Sequence, residues 1–346
     1  MAQVVAITGG SAGIGRAAAR AFAAKGYSVG LIARGPERLE AARAELEALG
    51  VAVHTVVTDV ADADAVDAAA GAIETALGPI TVWVNNAMTT VYSPIQGMDA
   101  AEIRRVTEVT YLGAVNGTLA ALKRMTSGTI VQVSSVLAWR ALPIQGAYCG
   151  AKFALRGFTE SLRSELIHDR SKIHLTMVHL PAVNTPQFDW NRNKTGRQTN
   201  APGPYQPEVA ADAIVFAATH RRRDVFVGKS TPPAIIASRL VPGVIDRAMA
   251  SRGYTLQLTK TPVPVSDGNL FEPAPGGDQG SHGRFDAQAS DKRDIYTSRQ
   301  GDAVLSGLLL VGGLSLAMLA TAPLTLGPAL LARAVLRGGA RRLRGV

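Results

Sequence analysis

The sequence predicts an α/β fold built on a doubly wound, mostly parallel sheet, and three observations predict it. Short β-branched runs alternate with Ala-rich stretches of helical length from the first residues onward, the βαβ rhythm of parallel strands joined by crossover helices. The strand-like runs are continuously apolar, as expected where helices bury both faces of a sheet. The chain has 346 residues, 47% of them hydrophobic and only 18% charged. That is long enough for one large core with an appendage, and it excludes disordered and collagen-like chains.

In order, the expected strands are VVAITGG from Val4, YSVGLIAR from Tyr27, VAVHTVVTDV from Val51, TVWVNNA from Thr81, GTIVQVSS from Gly128 and KIHLTMVHL from Lys172. Helices are expected between them over Arg16–Lys25, Glu37–Leu49, Ala63–Leu77, Ala100–Arg124 and Tyr148–Ile167. After His179 the chain turns rich in Pro, Asn and Thr, which reads as a mobile substrate-side loop. A helix over Pro207–Thr219, the strand DVFVG and a further helix over Ile235–Ala250 close the domain. Residues 1–250 are thus read as one domain. Residues 251–302, polar and without a core of their own, read as a linker or loosely packed extension. Residues 303–346 read as a C-terminal apolar helical extension, a membrane anchor with a basic tail.

The 36 basic and 27 acidic side chains give a net charge of +9. Residues 303–346 hold five arginines with no lysine or acid, which leaves +4 for the rest. A basic tail behind an apolar stretch points to a membrane surface, and no nucleic acid partner is expected. The run Ala303–Ala332 carries no charge over thirty residues, and about twenty helical residues span the roughly 30 Å of a bilayer core. Pro323, Gly327 and Pro328 interrupt the run, and Leu330–Arg344 suits a headgroup interface. A single span, a hairpin and a buried oligomer-forming helix all stay open, as does a homo-oligomer. Basic residues flank the segment on both sides, so charge does not orient it. The domain of residues 1–250 is expected on the cytoplasmic side. The start, MAQVVAITGG, lacks the basic and apolar regions of a signal peptide. One cysteine, Cys149, and six scattered histidines offer no internal disulfide and no metal cage, and a reducing compartment is expected.

The run Thr8-Gly9-Gly10-Ser11-Ala12-Gly13-Ile14-Gly15 follows a strand and opens a helix. Small residues let the backbone approach a pyrophosphate, and a helix N-terminus supplies N–H groups and partial positive charge. At the end of the second strand an acid would bond a ribose 2′-hydroxyl and a base would receive a 2′-phosphate. Here stand Ala33 and Arg34, with Arg16 a second cation nearby, so NADP is favoured over NAD. Asp59 and Val60 end the third strand where an adenine edge would lie, and Asn85, Asn86 and Ala87 end the fourth along the ribose. Tyr148 and Lys152 stand four apart on one helical face. A nearby cation favours a phenolate and brings a side chain of ordinary pKa about 10 towards proton exchange with an alcohol. Ser135, at the end of the preceding strand, is positioned to bond the same substrate oxygen.

TGGSAGIG, the acid of TDV, NNA, the serine of VSS and YCGAK, in this order and spacing, resemble the short-chain dehydrogenase/reductase family over about residues 3 to 230. The resemblance implies a Rossmann-type sheet and NAD(P)(H)-dependent hydride transfer at a carbonyl or alcohol carbon. It implies Tyr148 as general acid/base, Lys152 as the residue that binds the nicotinamide ribose and lowers the tyrosine pKa, and Ser135 as the orienter of the substrate oxygen. It also puts Pro181 and Thr185 beside the nicotinamide, Thr185 against its carboxamide. Two departures stand out. Thr110 occupies the position of the family's asparagine, which steadies a helix bend and a water in the proton relay, and Pro181 is followed by Ala182 where Pro-Gly is usual.

Met88, Trp139, Leu142, Phe188 and Trp190 are expected around the nicotinamide, which suggests an apolar ligand. His179 reads as a packed histidine with one ring nitrogen satisfied, and Cys149 is given no role. The expectation is therefore an oxidoreductase that uses NADP(H) on a lipophilic alcohol or ketone from a membrane-associated position. The alternatives are an NADP-binding scaffold with weakened catalysis and a soluble oligomeric reductase.

Overall fold

The computed structural model describes residues 2–298 apart from Pro275. The expected anchor and basic tail, residues 303–346, lie outside the described residues, and among the described ones no helix is long and apolar enough to cross a membrane.

The chain runs through β1 (Val4–Thr8), α1 (Gly13–Ala23), β2 (Ser28–Ala33), α2 (Pro36–Glu47), β3 (Val53–Val57), α3 (Ala63–Leu77) and β4 (Ile80–Asn85). It continues through β5 (Val91–Tyr92), α4 (Ala100–Thr107), α5 (Gly113–Arg124), β6 (Ser127–Ser135), α6 (Gly146–His168) and β7 (Lys172–Leu180). Then come α7 (Gln187–Trp190), β8 (Arg192–Asn193), β9 (Arg197–Thr199), α8 (Pro207–Thr219), β10 (Asp224–Val227), α9 (Thr231–Leu240), α10 (Pro242–Gln257), β11 (Leu258–Pro262) and β12 (Ile295–Thr297).

Among the described residues, eight strands form one sheet in the order β12-β10-β7-β6-β4-β1-β2-β3. Every neighbouring pair is parallel except β10 with β12. The chain winds outward from β1 to β3, then crosses back to β4 and winds the other way. That reversal between β1 and β4 opens a crevice at the carboxyl ends of the strands, where ligands of such sheets bind.

The continuous apolar runs have a direct cause. In β1, Val5 and Ile7 face a core shared with Phe22 and Ile214 from α1 and α8, while Val4 and Ala6 face a second core with Trp83, Ile73 and Ala121. β1 thus serves two cores, so none of its positions from Val4 to Ile7 is free to be polar. Asp62 caps α3 by accepting the Ala65 N–H at 3.0 Å, and Asp99 with Glu102 forms a capping box on α4.

Three expectations change. The helix expected over Ala100–Arg124 is interrupted by a π turn at Glu108–Leu112. There Thr110 donates to the Thr89 carbonyl at 2.9 Å and accepts the Thr89 N–H at 3.0 Å, tying the turn to the chain after β4. The helix expected over Ile235–Ala250 is two helices, because Pro242 lacks the N–H that would continue α9 and starts α10 instead. Residues 251–298, expected as linker or loose extension, belong to the same compact unit as the sheet. Lacking a core of their own, they bury Leu270 and Phe285 against the domain, and β12 closes the sheet edge on β10.

Candidate active site

Tyr148 lies in the first turn of α6 and Lys152 one turn on, so the helical period alone sets them on one face. Ser135 ends β6, paired with Leu180 at the end of β7. The Ser135 hydroxyl accepts the Leu137 N–H at 3.1 Å and donates to the Leu180 carbonyl at 3.4 Å. It also hydrogen-bonds the Tyr148 phenol. Lys152 donates to the Val133 carbonyl at 2.8 Å, with its nitrogen 5.6 Å from the centre of the Tyr148 ring. All three residues are buried.

Burial governs their protonation. It pushes the Tyr148 phenol above its ordinary value, with the Ser135 hydrogen bond opposing, and pushes the Lys152 ammonium down to about 8. In this arrangement burial outweighs the expected lowering of Tyr148 by Lys152. Burial also raises the Cys149 thiol to about 11, which leaves it without thiolate character at neutral pH.

Ser135, Tyr148 and Lys152 line a cavity of about 320 Å³ together with Met88, Tyr92, Leu142, Val183 and Phe188. Trp139 and Trp190, expected in this wall, are elsewhere. Trp139 donates its ring N–H to His179 Nδ1 at 3.1 Å and stacks beneath Arg156, while Trp190 lines the neighbouring groove under Arg38. His179 satisfies both ring nitrogens, the second with Asp224 at 3.0 Å. A wall unmarked in the sequence comes from α10, where Gln257 accepts from Gln145 at 2.6 Å beside the same cavity. Amides 112 positions apart in the sequence carry no local signal.

The neighbouring groove, about 180 Å³, is lined by Gly9, Ser11, Gly13, Ile14, Arg34, Asp59, Val60, Asn86, Ala87 and Thr185. The expected cofactor residues therefore meet, except that Thr8 and Gly15 act from behind. Thr8 accepts the Asn86 and Ala87 N–H groups at 3.0 and 3.2 Å, and Asn86 donates back to Thr8 and Gly9. Gly9 has φ +67°, and a Cβ at Gly15 would run into the Gly9 carbonyl and the Asn86 amide. The loop is therefore packed as tightly as a backbone-lined phosphate cradle requires, and the donor set fits a dinucleotide. Pro181 lines the larger cavity, and Thr185 lines both spaces.

Asp59 accepts the Ala61 N–H at 3.0 Å and pairs with Arg105. Although burial raises its pKa, these partners and Arg34 hold the carboxyl below its ordinary value. Arg16 is bound to Glu45 and Asp278, so it is not the spare cation expected near the cofactor. Thr110, expected among the catalytic residues, lines neither space and bonds the Thr89 N–H and carbonyl through its hydroxyl. The sequence reading missed residues 269–274 and 276–280, which border the groove. Asn269, Pro273 and Ala274 line the groove, and the Gly280 carbonyl accepts the Gly13 N–H at 3.1 Å.

Comparison with known proteins agrees with this geometry. An oxidoreductase of Bacillus subtilis, YxnA, described as uncharacterized, is 30% identical over 321 residues, covering 90% of this chain and 88% of its own. The dehydrogenase/reductase SDR family member 7B of Bos taurus is 33% identical over 265 residues, covering 72% and 81%. Among solved structures, a short chain dehydrogenase/reductase from Burkholderia phymatum in complex with NAD superposes with TM-score 0.63 at 25% identity, covering 71% of this chain and 95% of that one. An alcohol dehydrogenase from Thermococcus sibiricus complexed with 5-hydroxy-NADP gives 0.58 at 26%, covering 66% and 96%. The sequence model of the short chain dehydrogenases matches residues 3–195. With its glycine loop, its serine, tyrosine and lysine, and its sheet all accounted for, the chain belongs to the short-chain dehydrogenase/reductase family of oxidoreductases.

Proposed function

We propose that the chain transfers a hydride between NADP(H) and the carbonyl or secondary alcohol carbon of an apolar substrate. The observation that carries this reading is the meeting of Ser135, Tyr148 and Lys152 where the larger cavity adjoins the glycine-loop groove, with Ile14, Asn86, Met88 and Thr185 lining both. The structural neighbours bound to NAD and to 5-hydroxy-NADP support a dinucleotide here. Arg34, which follows β2 where no acid ends the strand, supports NADP as the preferred form. Met88, Leu137, Leu142, Val183 and Phe188 around the cavity support an apolar substrate.

The bound nicotinamide supplies or takes up the hydride. Ser135 donates to the substrate oxygen and fixes its position. Tyr148 gives that oxygen a proton in reduction and takes one in oxidation. Its raised pKa keeps it the protonated acid at neutral pH, and Lys152, charged below about pH 8, offsets the phenolate that remains. The glycine loop, with Ser11, Gly13 and Ile14, would hold the pyrophosphate. Asn86, Ala87 and Lys152 would hold the nicotinamide ribose, Pro181 and Thr185 its ring, Asp59 and Val60 the adenine, and Arg34 the 2′-phosphate.

The reading includes membrane attachment through residues 303–332, with the catalytic domain on the cytoplasmic side. Thirty uncharged residues followed by five arginines support it. A screen of ketones, aldehydes and alcohols that follows NADPH absorbance tests the reaction. A protein that binds neither NADPH nor NADH, or turns over none of these, overturns it. The pellet-to-supernatant ratio after a high-salt wash tests the attachment. The full chain is expected in the pellet, a chain ended before Ala303 in the supernatant, and full chain in the supernatant before any wash sinks the anchor.

A further inference from the structure

The segment that borders the groove is bound to it chiefly through main-chain oxygens. Arg34 donates to the carbonyls of Asn269 at 2.6 Å, Phe271 at 2.8 Å and Leu270 at 3.5 Å. Arg38 donates to those of Ala274 at 2.8 Å and Gly276 at 2.9 Å, and Arg105 donates to Leu270 at 3.1 Å. The segment is pinned by Leu270, fully buried in a cluster with Val91 and Val106, and by Asn269, whose N–H donates to the Trp190 carbonyl at 2.8 Å. Its root, Gly268, has φ +56°, and a Cβ there would collide with the backbone of Trp190 and Asn191.

The chemistry of that contact discriminates between cofactors. A guanidinium has only donors, and those of Arg34 face three carbonyl oxygens, with the Asp59 carboxylate 4.0 Å away. A 2′-phosphate entering this ring of oxygens meets like partial charge and gains Arg34 only by displacing the carbonyls. A 2′-hydroxyl is itself a donor, so the same oxygens can accept it in place. We propose that residues 269–271 are a specificity-determining element of the cofactor site. Seated, they occupy Arg34 and lessen its preference for a 2′-phosphate over a 2′-hydroxyl; displaced, they release Arg34 to a 2′-phosphate. Cofactor choice then depends on the seating of a segment that lies beyond the part of the chain the family model matches. The inference rests on the reading of Arg34 as the residue that meets the cofactor's 2′-position.

Calorimetry on the full chain, in buffer free of phosphate, with adenosine 2′,5′-bisphosphate and 5′-AMP as probes, tests it without reference to turnover. Leu270→Ala removes the buried pin, and Gly268→Ala lifts the root without changing charge and serves if the first variant does not fold. Either is expected to strengthen bisphosphate binding relative to AMP by about fivefold or more, the low end of coupling between linked sites. Arg34→Ala is expected to abolish the bisphosphate's advantage in the wild-type and loosened backgrounds alike. If both probes shift by one common factor in the loosened variants while Arg34→Ala still lowers the ratio, the segment is a mere roof and this inference fails alone. If Arg34→Ala leaves the ratio unchanged everywhere, the assignment of Arg34 itself falls.

Discussion

At the catalytic end of the cleft, Tyr148 and Lys152 are stripped of water and hold few partners, and burial moves both pKa values in the directions that disfavour charge. At the adenosine end, Arg16, Arg34, Arg38 and Arg105 are surrounded by carboxylate and carbonyl oxygens. The first end holds its groups electrostatically uncompensated, which costs stability and makes them ready to exchange protons. The second has compensated its cations, so a ligand reaches them only by exchange with what they already hold. Chemistry requires the first arrangement, whereas selection among ligands can be built on the second.

The strongest way to break this contrast is Tyr148→Phe. The ring still packs while the proton is gone, so turnover should fall by a factor on the order of 10² to 10⁴ with NADPH affinity nearly intact. Full turnover on any accepted substrate would remove Tyr148 from the mechanism.

Lys152→Met sharpens the stability side. The folded pKa, about 8, lies below the ordinary 10.5, so the unfolded chain binds the extra proton between these values and wild-type stability should rise with pH from about 8. The raised Cys149 and Tyr148 act in the opposite sense, but only from their ordinary values of 9.0 and 10.0 upward. The window from about pH 8 to 9 therefore reports on the lysine. The variant should be inactive, lack this rise, and be more stable at pH 7 by an amount on the order of a few kcal/mol. Urea denaturation at a series of pH values reads this directly, and a destabilised variant would show that the ammonium is compensated after all.

Arg34→Asp acts at the other end. The ratio of NADP to NAD affinity should move towards NAD by several-fold to about a hundredfold, as for a coupling of about 1 to 3 kcal/mol. Titration of both cofactors against both proteins decides it, and an unchanged ratio would mean that another group reads the 2′-position. The smallest effect belongs to Thr110→Val, which leaves the buried Thr89 N–H and carbonyl without their partner. It should cost about 1 to 3 kcal/mol and affect turnover only through the stability of the π turn. A large loss of turnover at unchanged stability would restore Thr110 to the proton relay.

The catalytic end was legible because its chemistry needs particular side chains at particular strand and helix ends. TGGSAGIG, NNA, Ser135 and the Tyr148–Lys152 pair are local patterns, and the sheet delivers each of them to one crevice. The adenosine end was legible only in part. Arg34 and Arg16 are visible as cations, but the partners of Arg16 include Asp278, and those of Arg34 are carbonyls 235 to 237 positions away. Main-chain carbonyls leave no mark in a sequence, and GNLFEPAPGGDQG reads as linker for that reason. Trp139 and Trp190 were misassigned on similar grounds, since an aromatic type does not say which of two adjacent spaces it borders.

The short antiparallel strand β12 has a consequence for handling the protein. Without it, β10 would present an open row of N–H and carbonyl groups at the sheet margin, a ready template for another chain. Among the described residues the margin is instead β12 itself, three residues from Ile295 to Thr297, too short to template a second copy as well as β10 would. A chain ended before Ile295 should associate through β10, whereas one ended after Ser298 keeps β10 covered.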